Sequence, residues 1–202
     1  NGYKQSVWTK DDMIVRFGNN IHDVWKFEGE TGDRSGKFSI YGQFDSYLNF
    51  DFEDKVYALY SYDNYLGCSY FSTGEPAIFF NVKAIQTYKP NTYDPTSNIM
   101  IGTSGDGSNF KFRNAMGYLR ISLTGNKEVD HIALIGNNNE VLNGARYIKH
   151  DDIDIQEWHS GYDNLTNMTM ICCDNAVQLS DIPTNFYFTI APTNFTKGIS
   201  VV

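Results

Sequence analysis

Four histidines, three cysteines and a scatter of carboxylates are the side chains through which this chain would do covalent or metal chemistry. The histidines are His22, His131, His150 and His159. None is paired at the i, i+4 spacing by which a helix offers two zinc ligands. The densest ligand-like cluster is His150-Asp151-Asp152-Ile153-Asp154. Its carboxylates suit calcium, but the glycine that turns an EF-hand loop is missing, and we read it as a solvated acidic loop. Ser104 lies in Gly102-Thr103-Ser104-Gly105-Asp106. A nucleophile elbow needs glycine where Asp106 stands, and a helix where a strand pattern follows. Glycoside hydrolysis needs two carboxylates at a set distance in space. Glu53, Asp54, Glu128 and Glu140 are available, and nothing pairs them. Cys172 and Cys173 are adjacent, so in a strand they point to opposite faces and a bridge between them is strained. Cys68 is free to pair with either. The expectation is three small hydrophobes that carry thiols. We therefore expect no catalytic residue, no metal and no cofactor.

A binding role has more material. Tyr57, Tyr60, Tyr62, Tyr65 and Tyr70, followed by Phe71, form an aromatic run. Exposed tyrosine faces stack on sugar rings or anchor a protein partner. The competing expectation is packing within strands. Asn164, Asn167 and Asn194 begin glycosylation sequons, a short pattern that arises by chance in a chain rich in Asn and Thr.

The elements that must hold these residues are strands. Met13, Val15 and Phe17 alternate with Ile14 and Arg16, and Phe38, Ile40, Gly42 and Phe44 with Ser39, Tyr41 and Gln43. Further rows are Val56/Ala58/Tyr60, Ile78/Phe80/Val82, Leu119/Ile121/Leu123, Ile132/Leu134, Met168/Met170/Cys172 and Phe186/Phe188/Ile190. Period two places each row on one face of a strand. Leu119 and Ile121 are nevertheless expected to meet different environments, one of them the core. Turn-forming residues separate the rows, at Gly18–Asn20, Glu30–Asp33, Ser72–Pro76, Gly105–Gly107 and Gly136–Asn139. The Gly136–Asn139 turn, between Ile132–Ile135 and Val141–Leu142, predicts a hairpin. Asp151–Trp158 is the best candidate for a single helical turn.

Composition narrows the partners. The chain has 24 acidic and 16 basic residues, for a net charge of −8. Such a surface repels phosphate backbones and anionic headgroups, so nucleic acid and direct membrane adsorption are poor partners. No apolar run reaches the about 20 residues that span a bilayer. Asn1–Lys10 does not resemble an export signal, so the chain reads as a processed or trimmed product. The 15% aromatic content, with 14 Tyr and 14 Phe, suits pleated surfaces. Lys89–Asn98 holds two Pro, two Thr, one Ser and two Asn, a connector composition. It divides the chain into expected domains of 1–95 and 96–202.

The segment from Gln86 to Gly144 resembles the fimbrillin-like surface lipoproteins of Bacteroidetes. The matching residues are Gln86-Thr87-Tyr88, Asp94-Pro95 and Asn98-Ile99-Met100, then Phe110, Phe112, Asn114, Gly117, Leu119, Leu123 and Gly125. Val129, Ile132, Gly136-Asn137, Glu140, Leu142 and Gly144 continue the pattern, and Phe186–Pro192 with Phe195 and Gly198 completes it. Trp8, Asp11–Val15 and Tyr57–Tyr60 are compatible. The resemblance implies an all-β fold of two transthyretin-like β-sandwich domains in series. It implies a non-enzymatic protein of the cell surface or outer membrane, a fimbrial (pilus) subunit or related adhesin. Its partners would be other fimbrial subunits or a surface protein, joined by adding a strand to an open sheet edge. Membrane contact would come only through a lipid anchor that this chain does not contain. The alternative is a glycan-binding module of a polysaccharide-uptake system, with the tyrosine run as its contact surface.

Overall fold

The computed structural model describes residues 6–18, 21–44, 55–70, 75–149, 159–160 and 165–202. The acidic cluster at 150–154, the helical candidate at 151–158, Glu53, Asp54, Phe71 and Asn164 lie outside them, as do parts of the 18–20 and 72–76 turns.

Among the described residues the fold is all-β. In chain order the strands are β1 (Met13–Gly18), β2 (Ile21–Phe27), β3 (Phe38–Gln43), β4 (Val56–Tyr60), β5 (Tyr65–Tyr70), β6 (Pro76–Val82), β7 (Ile85–Thr87) and β8 (Met100–Ser104). There follow β9 (Lys111–Asn114), β10 (Gly117–Leu123), β11 (Glu128–Gly136), β12 (Gly144–Lys149), β13 (His159–Ser160), β14 (Met168–Gln178), β15 (Thr184–Ile190) and β16 (Ile199–Val201).

They make two pairs of sheets. A six-stranded antiparallel sheet, β3-β2-β1-β4-β8-β9, shares a core with the four-stranded sheet β13-β12-β6-β5. Val15, Phe17, Tyr57, Leu59 and Ile101 meet Ile78, Phe80, Val82 and Ile148 there. The far face of the six-stranded sheet is also covered: Ile14, Phe27, Ala58, Tyr60 and Met100 gather around Trp8. Strand β4 is thus buried along its whole length, because alternate residues feed two cores. The second pair sets β16-β11-β14-β7 against only two strands, β10-β15. Ile132, Leu134 and Ile171 meet Phe186, Phe188 and Ile190 in this core.

Three pairings, β4 with β8, β6 with β12 and β7 with β14, join residues on opposite sides of the 95/96 division. Two expectations are corrected. Leu119, Ile121 and Leu123 all pack half-buried against the second core, as period two along one strand demands. The Gly136–Asn139 turn forms, with Asn139 N–H donating to the Gly136 carbonyl at 3.3 Å and φ of 58° at Asn139. It makes no hairpin, because β11 is already flanked by β14 and β16 and the chain leaves to pair β12 with β6.

Candidate functional site

The tyrosine run does not share one face. Tyr57 is 1% exposed in the first core, and Tyr60, on the opposite face of the same strand, is 5% exposed beside Trp8. The Tyr60 hydroxyl donates to Asp12 at 3.2 Å, and burial raises its pKa well above the usual phenol. Tyr62 and Tyr65 pack half-buried on the first core. The Tyr65 hydroxyl lies 2.7 Å from His22 Nε2 and 3.2 Å from Cys68 Sγ. Tyr70 ends β5.

The groups considered for chemistry have structural partners. His22 stacks on Phe44 with ring centres 4.1 Å apart, and His131 bonds Asp130 at 2.6 Å. Ser104 donates its hydroxyl to Asp106 at 2.8 Å. Glu140 accepts from Asn138 N–H at 2.7 Å and Thr196 N–H at 3.0 Å, which holds the 137–140 turn to the 194–198 loop. Cys68, Cys172 and Cys173 are free thiols. Burial pushes the Cys68 thiol up to about 12, against a smaller opposing effect of the Tyr65 hydroxyl. No three His, Cys, Asp or Glu side chains converge among the described residues.

The Gln86–Asn98 segment is a buried polar joint. Gln86, 1% exposed, stands in β7 and acts as a surrogate strand for β15. Its Oε1 accepts Thr189 N–H at 3.0 Å, while its Nε2 donates to the Thr189 carbonyl and, at 3.3 Å, to Thr169 Oγ1. Asp94 caps the short 3-10 turn Pro95–Ser97, accepting Thr96 N–H at 3.0 Å, and takes Thr87 N–H at 2.9 Å. Thr189 Oγ1 donates to Ser97 Oγ at 2.7 Å, and the Tyr118 hydroxyl to Asn98 Oδ1 at 2.6 Å.

This joint fixes which way β10 presents its backbone. Thr189 turns its N–H and C=O towards Gln86, so it belongs to a non-hydrogen-bonded pair with Tyr118 across the ladder. By alternation Tyr118, Arg120 and Ser122 point their N–H and C=O groups away from β15. No strand among the described residues pairs with that side. The edge carries a single charge, Arg120, and neither proline nor bulge, the usual protections against strand pairing. Strand spacing makes a two-stranded layer about 10 Å wide and a four-stranded one about 19 Å. Tyr88, Leu179 and Phe195 fill part of the difference, while Val129, Val177 and Ile199 of the wider sheet stay only half-buried.

Above the far face of the six-stranded sheet lies a groove of about 740 Å³. Its floor includes Arg16, Trp25, Phe38 and Phe112; loops around Arg34 and Asn109 form two of its walls. No protein-family model matches the chain, and neither a curated protein nor a solved structure matches it.

Proposed function

We propose that this chain is a non-enzymatic cell-surface protein, a fimbrial subunit or related adhesin of the fimbrillin-like kind, that assembles by strand addition at β10. The observation that carries the reading is the edge at Tyr118, Arg120 and Ser122, which no strand among the described residues pairs with, beside a two-stranded layer that underfills its partner sheet. An incoming strand from another subunit would take these N–H and C=O groups as ladder partners. Its alternate apolar side chains would lie beside Leu119, Ile121 and Leu123 and fix the register. The resemblance through Gln86–Gly144 supports the same reading, since the motif residues build the joint that orients β10. The finer description of the fold, two transthyretin-like sandwich units, belongs to this proposal. Two facing sheet pairs with separate cores support it, the units sharing strands across residue 95.

Arg120→Pro tests it. The lost N–H faces outward, so an edge proline leaves the ladder with β15 intact. Wild-type protein is expected in high-mass material of the outer-membrane fraction of the source cells. The variant, melting within a few degrees of wild type, is expected as monomer. Absence of the wild type from that fraction, or equal assembly by the variant, refutes the proposal.

A further inference from the structure

We propose that the groove over the six-stranded sheet binds an anionic glycan, a short run of sugars carrying carboxylate or sulfate groups. This stands on the groove alone and is independent of strand addition at β10.

The first observation is charge. In a chain of net charge −8, this groove is lined by Arg16, Arg34, Lys37 and Lys111 against a single carboxylate, Glu28. Arg16 is already paired: its Nε and Nη2 donate to Asp23 at 2.9 and 2.8 Å. Arg34, Lys37 and Lys111 are exposed at the rim. Asp106, on the adjoining loop, points its carboxylate inward to Ser108 N–H at 2.8 Å and Asn109 N–H at 3.1 Å. The local excess of positive charge is therefore offered to a ligand. Guanidinium and ammonium groups are the usual partners of carboxylate and sulfate oxygens.

The second observation is the floor. Trp25, Phe38, Phe110 and Phe112 are half-buried along it, held by the aromatic cluster around Trp8. Trp8 meets Phe38 edge-on with centres 5.0 Å apart and Phe112 at 5.2 Å. The Arg16 guanidinium covers one face of Trp25, 4.1 Å from the ring centre. The Trp25 indole nitrogen has no hydrogen-bond partner among the described residues. Flat rings beside hydroxyl and amide groups of Ser35, Ser108 and Asn109 suit the apolar face and the hydroxyl rim of a pyranose. An acidic peptide fits less well. The floor is a ring-covered sheet face, and the backbone groups of its inner strands β2, β1, β4 and β8 are taken by their neighbours on both sides.

The third observation is rigidity. Arg16 Nη1 donates to the Gly107 carbonyl at 2.7 Å and ties the 105–111 loop to β1. The 28–37 loop is closed by Glu28 N–H to the Lys37 carbonyl at 2.9 Å and Gly32 N–H to the Trp8 carbonyl at 2.8 Å. Glycine is required at 29 and 36, where a Cβ would run into the Phe27 ring. Walls set before the ligand arrives reduce the ordering cost of binding. A volume of about 740 Å³ falls within the usual span for ligand sites, about 300–1,000 Å³.

The test is calorimetry with oligogalacturonate and chondroitin sulfate hexasaccharides, against neutral maltohexaose and poly-L-glutamate. Wild-type protein is expected to bind one or both anionic sugars saturably, more weakly at high salt, and neither control. Arg34→Ala with Lys37→Ala should weaken binding about tenfold or more, and so should Phe110→Ala. Lys127→Ala with Lys197→Ala, an equal charge change away from the groove, should leave it unaltered. Thermal melts confirm that each variant is folded. The proposal is overturned if neither anionic sugar binds, if maltohexaose or poly-L-glutamate binds as tightly, or if the groove pair and the distant pair behave alike.

Discussion

Replacing Gln86 by leucine should remove a large share of the stability of the second sheet pair. The leucine fills similar space but has no amide. Thr189, 1% exposed, then keeps a buried N–H and a buried C=O whose partner has gone. Each unmet backbone group costs about 1–3 kcal/mol. Thr169 Oγ1 still donates to the Ala84 carbonyl at 3.0 Å and adds little. The expected loss is about 4 kcal/mol, a large part of the about 5–15 kcal/mol that holds a typical domain. Urea unfolding followed by far-ultraviolet circular dichroism measures it, with the m-value checked against wild type. Gln86→Glu sharpens the test. At neutral pH its carboxylate accepts from Thr189 N–H but opposes the Thr189 carbonyl in a buried place. Burial and that repulsion raise the folded-state pKa above the about 4.3 of an unfolded glutamate. The variant is then relatively stabilised below the unfolded pKa, where the carboxyl is protonated and can donate, and that gain is lost as pH rises through the folded pKa. A loss under 1 kcal/mol for Gln86→Leu, or no gain for Gln86→Glu relative to wild type between pH 7 and 4, refutes the surrogate-strand reasoning.

Leu119→Ala and Ile121→Ala should each cost about 1–2.5 kcal/mol, half the usual core value because both side chains are half-buried on one core; chemical denaturation in which either proves neutral would refute the shared row. Native Cys68 should resist iodoacetamide at pH 8, with its thiol pushed up to about 12, and react at once in denaturant. Mass spectrometry of the alkylated peptide reads this, and rapid native labelling would contradict it. Hydrogen bonds from Ser108 and Asn109 N–H and the Ser104 hydroxyl hold Asp106 well below its ordinary 3.8. Its contribution is present above that unfolded value and lost as pH falls through the lower folded one. Protection of the Ser108 and Asn109 amides, taken relative to the intrinsic exchange rate at each pH, should therefore be the same at about pH 3 as at neutral pH and fall only in stronger acid, whereas loss of that relative protection above about pH 3 would refute the depressed pKa.

The strands were legible in the chain because alternation is local. A row such as Phe186, Phe188 and Ile190 declares one buried face within a few residues, whatever it later faces. The turn at Gly136–Asn139 was legible for the same reason. That no hairpin follows it was not, since a turn constrains three or four residues while pairing depends on edges supplied from far along the chain. The tyrosine run illustrates the limit on sites: hydrophobicity and ring size mark Tyr57 and Tyr60 as binding material or core material alike. Only burial in β4, with a core on each face, separates the two.

By itself the sequence determined the all-β character, the acidic surface and the polar punctuation around Gln86, Asp94 and Asn98. Tertiary structure alone decided that β8 joins β4 in the first sheet, that Gln86 stitches β15, and that one side of β10 meets no strand among the described residues. It also gathered Arg34, Lys37 and Lys111 around rings from β2, β3 and β9. The physical reason is the range of the forces involved. Strand formation follows from neighbouring side chains, whereas edges, grooves and charge clusters arise from pairings and loop closures between distant residues. No periodicity encodes those, because their selection rests on which buried surfaces fit one another.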